Sequence, residues 1–180
     1  DGQWHNKAVS TMAKLGIVKG RRADSFDPNA SITRAEFAAI AGRFFTDNDA
    51  IYEPGTFSDI EGAEWFADAV QAAKDHDIIG YPDGTFKPNN PITRAEACSI
   101  VNRTTKRVPD ADHLLALDKM RNWPDNADTS AWYYADMQEA TNGHYYDYVL
   151  DENDEIVREE WTSERAPIDW EQVEEELEAS

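Results

Sequence analysis

Two tetrads, Thr33-Arg34-Ala35-Glu36 and Thr93-Arg94-Ala95-Glu96, are identical and lie sixty positions apart. A threonine followed three residues later by glutamate is the signature of a capping box, in which the hydroxyl and the carboxylate each accept a backbone N–H at a helix start. Ile32 with Phe37 and Ile92 with Ala97 occupy the flanking positions of a hydrophobic staple. Helix initiation alone therefore accounts for Thr33, Glu36, Thr93 and Glu96. It does not account for Arg34 and Arg94, which fall at the first helical position, where the helix dipole disfavours a cation. A local rule broken twice at one place points to a site. Free N–H groups, a guanidinium and a hydroxyl at a helix start make a compact receptor for a carboxylate or phosphate.

The elements that must position these groups can be read from the surrounding residues. Trp65, Ala69, Val70 and Ala73 recur at helical spacing and form one apolar face. Pro82-Asp83-Gly84 suits a type I turn, and Pro88 and Pro91 keep the following stretch from becoming helical. A second helix is expected from about Thr93 to Arg103, with Ile100 and Val101 inward. Each unit thus reads as helix, turn-rich loop, helix. Trp4 and Trp65 open the first helices, as packing residues or as aromatic walls for a sugar ring. Asp83 and Gly84 mark the turn, where Asp83 can also accept hydrogen bonds from sugar hydroxyls.

The unit is repeated. Leu15 through Asn29 answers His76 through Asn89 with one extra residue in the first copy, and Trp4…Ala8-Val9 matches Trp65…Ala69-Val70. Trp123-Pro124-Asp125 followed by Trp132 and Ala140 resembles Phe57-Ser58-Asp59 followed by Trp65 and Ala73. That third copy lacks the tetrad in its second half. The expected organisation is a module at residues 1–50, shortened at its start, a second at 51–110 and a diverged acidic third at 111–180. Two short helices cannot bury their own apolar faces, so modules should pack on one another. The expectation is an all-α fold, three tandem helix-loop-helix modules closing into a pseudo-threefold helical bundle. In the third module Trp132, Trp161 and Trp170 are expected in the core, with Trp170, Val173 and Leu177 on one face of a terminal helix.

The chain of 180 residues carries 17 Lys+Arg against 36 Asp+Glu, a formal charge of −19. This balance argues against nucleic acid and anionic membrane surfaces as partners. The excess is local: residues 1–110 hold 13 basic and 16 acidic groups, and residues 111–180 hold 4 and 20. The tetrads therefore sit in a nearly neutral region. With 41% hydrophobic residues the chain can build a real core. The opening Asp1-Gly2-Gln3-Trp4 reads as the start of a fragment of a longer protein, a monomer in isolation.

Other chemistries find little support. Cys98 aligns with Ala38 on a helix, the place of a small buried side chain, and one cysteine excludes a disulfide framework. The four histidines have no metal-ligand spacing, and Asp151-Glu152-Asn153-Asp154-Glu155 lacks the glycine of a calcium loop. No nucleophile–base pattern or phosphate loop is apparent, so no catalytic residue, metal or cofactor is expected.

Gly80-Tyr81-Pro82-Asp83-Gly84-Thr85-Phe86-Lys87-Pro88-Asn89 followed by Ile92-Thr93-Arg94-Ala95-Glu96 resembles the S-layer homology domain of bacterial cell-surface proteins. The resemblance is nearly complete for the second module, runs from Trp4 in the first and covers Trp123 to about Ala140 in the third. It implies a three-pronged helical spindle and grooves between modules that bind secondary cell-wall polysaccharide, often through a pyruvate ketal. It implies non-covalent anchoring of an exported protein to the peptidoglycan-linked wall, with Thr33, Arg34, Glu36, Thr93, Arg94 and Glu96 carrying the motif. A ketal presents a carboxylate, the group the helix-start argument asks for. The alternative class is an assembly module, the same surface mediating protein–protein packing within a surface layer.

Overall fold

The computed structural model describes residues 5–22, 25–45, 49–169, 172–173 and 175–176. Among the described residues five α-helices, α1 (Asn6–Lys14), α2 (Arg34–Ala41), α3 (Ala67–Asp75), α4 (Arg94–Thr104) and α5 (Tyr134–Thr141), precede a two-stranded antiparallel sheet, β1 (His144–Leu150) and β2 (Ile156–Glu164). Among the described residues no helix is long and apolar enough to cross a membrane.

Both capping boxes form. Thr33 and Thr93 have extended backbones, their hydroxyls accept from the N–H groups of Glu36 and Glu96, and each glutamate reaches back to the threonine N–H at 2.8 and 2.9 Å. The expected second helix of the second repeat is α4. Ile100 is buried on it, whereas Val101 faces outward.

The second helix of one repeat packs on the first helix of the next: α2 against α3, α4 against α5. Small side chains allow this close approach, since Ala35, Ala38 and Ala41 of α2 meet Ala67, Val70 and Ala73 of α3 in one continuous core with Phe57, Ile78 and Phe86. Phe86, fully buried, anchors the turn-rich loop. The loop itself is the expected turn: the Gly84 N–H donates to Tyr81 O at 3.0 Å, with Gly84 at a φ of 78°.

The all-α expectation fails in the last third. Where a second helix of the third repeat would complete a threefold bundle, β1 and β2 form a hairpin in which His144 faces Glu164 and Leu150 faces Ile156. The residues explain it. His-Tyr-Tyr-Asp-Tyr-Val-Leu and Ile-Val-Arg-Glu-Glu-Trp-Thr-Ser-Glu are rich in aromatic and β-branched side chains, which favour a pleated ribbon over a helix. The acidic run between them is the turn. The Asp151 carboxylate accepts from the Asn153 and Glu155 N–H groups at 2.8 and 2.9 Å, and Asp154 takes the left-handed conformation with φ 63°.

Of the three tryptophans expected in that core, Trp161 is buried, Trp132 is 67% exposed, and Trp170 lies outside the described residues. Leu177, the other end of the expected terminal face, also lies outside them.

Candidate ligand-binding grooves

The two tetrads, alike in sequence, start helices in unlike surroundings. At α2 the first N–H groups are already taken: Arg34 N–H donates to Asn90 O and Ala35 N–H to Pro88 O, each at 3.0 Å. At α4 the N–H groups of Arg94 and Ala95 have no such partner among the described residues. The anion receptor expected at both helix starts is therefore closed by protein at the first and open at the second.

The arginines diverge in the same way. Arg34 is 4% exposed, its Nε donating to Phe86 O at 2.8 Å and its Nη1 lying 3.0 Å from Glu96 Oε1, with the Tyr81 and Phe86 rings both 4.8 Å away. The arginine of the first tetrad thus meets the glutamate of the second. Arg94 is half-exposed, 3.1 Å from Asp125 and stacked 5.0 Å over Trp123, which Arg121 also flanks at 4.9 Å. The Trp-Pro-Asp segment of the third repeat is what receives it.

Glu96 also accepts the Tyr81 hydroxyl. Burial alone would push its carboxyl up, but the Thr93 N–H, the Tyr81 hydroxyl and the Arg34 guanidinium together hold it below the usual carboxylate range. Tyr81 responds in the opposite sense, pushed up by burial and by its bond to Glu96. Glu36 is likewise held low: burial opposes, while Thr33 and Arg21 prevail, Arg21 lying 2.9 Å from it.

Two grooves of about 610 Å³ each run beside these groups. The first is lined by Lys19, Arg21, Ile32, Glu36, Ile40, Arg43 and Trp65. The second is lined by Arg34, Tyr81, Glu96, Ile100, Arg103 and Trp132. Glu36, Ile40 and Arg43 recur sixty positions on as Glu96, Ile100 and Arg103, so these are two copies of one groove. Each is closed by the leading tryptophan of the following repeat. Trp65 stands edge-on to Phe66 at 5.5 Å and 86°, and Trp132 to Tyr133 at 5.5 Å and 87°. Both indoles stay largely in solvent, Trp65 at 69% exposure. Each indole thus presents a large apolar face with a polar N–H at the groove edge.

The grooves differ in charge. Arg21 and Lys19 enter the first where Tyr81 and Pro82 enter the second. Asp83 is drawn away from either groove by its turn, accepting from the Thr85 hydroxyl and N–H at 2.6 and 3.1 Å, which hold its carboxyl low. Gly84 serves the turn and, through its carbonyl, accepts the Ser58 N–H at 2.9 Å. Trp4 lies outside the described residues.

A constellation that the sequence reading missed joins α4 to the hairpin. Arg107 lies 2.6 Å from Glu159 and 2.5 Å from Glu139, over the Tyr146 ring at 3.9 Å, and His144 stacks on Trp161 at 3.6 Å. Glu139, His144 and Glu159 bring three possible metal ligands within 4.8 Å of one another. The Arg107 guanidinium already occupies the place between them, its Nη2 within 2.9 Å of all three, so the internal cation there is an arginine. Arg107, Glu139, His144 and Glu159 have no counterpart in the other repeats, so the repeat pattern carries no sign of them.

Comparison with known proteins bears on the grooves. The S-layer homology domain model matches residues 1–38 and 56–98. A cellulosome-anchoring protein of Acetivibrio thermocellus is 32% identical over 164 residues, 87% of this chain and 34% of that protein. A surface layer protein of Brevibacillus choshinensis is 35% identical over 107 residues, 57% of this chain and 10% of its own length. An amylopullulanase of Thermoanaerobacterium thermosulfurigenes is 35% identical over 100 residues, 56% of this chain and 5% of its own. The chain thus spans between 5% and 34% of the length of these relatives.

Proposed function

Through residues 1–38 and 56–98 the chain belongs to the S-layer homology domain family of cell-surface anchoring modules, and on that premise we propose that it tethers an exported protein to the bacterial wall. In this reading it binds an anionic, pyruvylated secondary wall polysaccharide without a covalent bond, and its modules are residues 1–50, 51–110 and 111–180. The protein's place is the cell surface. The amylopullulanase shares only a small part of its length with the chain, which supports a binding rather than a catalytic role for the shared part.

The observation that carries the reading is the duplicated groove, walled by an exposed tryptophan and by Arg43 or Arg103 at repeat-equivalent positions. Arg94, half-exposed at the open start of α4 with Thr93 beside it, lies outside the lining of both grooves, at the head of the helix that walls the second, and is the group we assign to the ketal carboxylate. Arg34, Glu36 and Glu96 set the groove walls, Thr33 caps the helix that carries two of them, and Trp65 stacks on the sugar. Asp83 and Gly84 shape the adjoining turn. A localised cation recruits an anion even on an acidic chain, because charges more than about 10 Å apart are largely screened at ordinary ionic strength.

Co-sedimentation tests the tether. The chain should pellet with wall sacculi that retain their polysaccharide and stay in solution once hydrofluoric acid has stripped it. Equal pelleting with stripped peptidoglycan would refute the reading.

A further inference from the structure

A third cavity, of about 840 Å³, opens where the end of α4, the end of α3 and the start of α5 meet. Trp132 and Arg103 line both this cavity and the second groove, so the two are continuous past one indole. Its volume lies within the range of about 300–1,000 Å³ typical of ligand sites. Phe44, 49% exposed, offers a further aromatic surface in it. Arg103 is held by the Ser99 hydroxyl through Nη1, and Lys106, exposed and left-handed with φ 56°, has no carboxylate partner among the described residues. Asp75, Asp77 and Asp136 also line the cavity, as does Arg107, whose guanidinium is paired with Glu139 and Glu159.

Cations near the end of α4 complement its dipole. That does not explain why they face two exposed aromatic rings across an open cavity. Apolar faces for ring carbons, two cations without a carboxylate partner among the described residues, Arg103 and Lys106, and three aspartates that can accept sugar hydroxyls together suit an acidic sugar.

We infer that this cavity is an extension subsite for the next, uronic-acid-type sugar of the same glycan chain, entered past Trp132 from the second groove. The inference rests on the wall-glycan reading of that groove. Lys106 and Arg103 meet the sugar carboxylate, Trp132 is shared between the two successive rings, and Phe44 closes the far side. Groove occupancy then becomes directional, with the chain terminus in the groove and the interior of the polymer leaving through the cavity.

The test is titration of the protein with a synthetic pyruvylated disaccharide and with the same disaccharide extended by glucuronic acid. The extended ligand should bind about tenfold tighter, the gain expected for one charge-assisted contact. Lys106→Glu should erase that gain while leaving disaccharide affinity within about twofold, and Lys106→Arg should keep it. Equal affinity for the two ligands, or a gain that survives Lys106→Glu, overturns the extension subsite alone. Failure of both ligands to bind overturns the groove reading and this inference with it.

Discussion

Arg34 and Glu96, the arginine of one tetrad and the glutamate of its repeat, form an ion pair of 3.0 Å with the guanidinium 4% exposed. The pair ties the start of α2 to the start of α4, and the N–H donors of Arg34 and Ala35 reinforce it by binding Asn90 and Pro88. One motif thus serves as a joint in its first copy and keeps an open face in its second.

Stability should separate the two copies. Arg34→Ala leaves Glu96 half-buried beside Tyr81 and is expected to cost about 3 kcal/mol. Arg94→Ala breaks an exposed pair with Asp125 and should cost about 1 kcal/mol or less. Urea unfolding of both variants measures this; equal losses would contradict the assignment of roles.

Acid should loosen the same joint. Glu96 and Glu36 are held below the usual carboxylate range in the folded chain. Their contribution is complete above the unfolded value of about 4.3 and disappears as pH falls through the lower folded values. Melting temperature should therefore drop below about pH 5. In Glu96→Gln the drop should be shallower, which thermal melts at successive pH values will reveal.

The hairpin depends on Arg107. Glu159 is 0% exposed, accepting from Arg107 and from the Val108 N–H at 3.0 Å. Arg107→Ala strands buried carboxylates and should cost about 3–5 kcal/mol. Because the guanidinium fills the space between Glu139, His144 and Glu159, a chelator should leave the melting temperature unchanged. A fall in melting temperature with EDTA would place a metal where the arginine lies.

The exposed indoles should matter for binding and little for folding. Trp65→Ala and Trp132→Ala each remove a side chain more than 60% exposed, so unfolding free energies should move by about 0.5 kcal/mol or less. Glycan affinity should fall by about 0.5–1.5 kcal/mol for each. Loss of stability without loss of affinity would return both tryptophans to a packing role.

Where local chemistry repeats, the sequence was sufficient. The capping boxes at Thr33 and Thr93 and the Pro82–Gly84 turn follow from residue types at fixed offsets, and so do α2 and α4. The third repeat was misjudged because two copies were projected onto a segment whose own β-branched and aromatic residues favour strands. The exposure of Trp132 follows from repeat equivalence with Trp65, a signal present in the sequence and outweighed there by the habit of burying tryptophan. The different fates of Arg34 and Arg94 were not legible, since they depend on which loop covers each helix start. For α2 that loop comes from fifty-odd residues away, and no local pattern encodes it.

Calorimetric titration with a pyruvylated disaccharide tests the central claim most directly. The account predicts a saturable isotherm that is lost when the ketal is removed and weakened by about 1.5–3 kcal/mol in Arg94→Ala, the value of one charge-assisted hydrogen bond. No heat with the disaccharide in excess, or equal affinity for the sugar without its ketal, would contradict it.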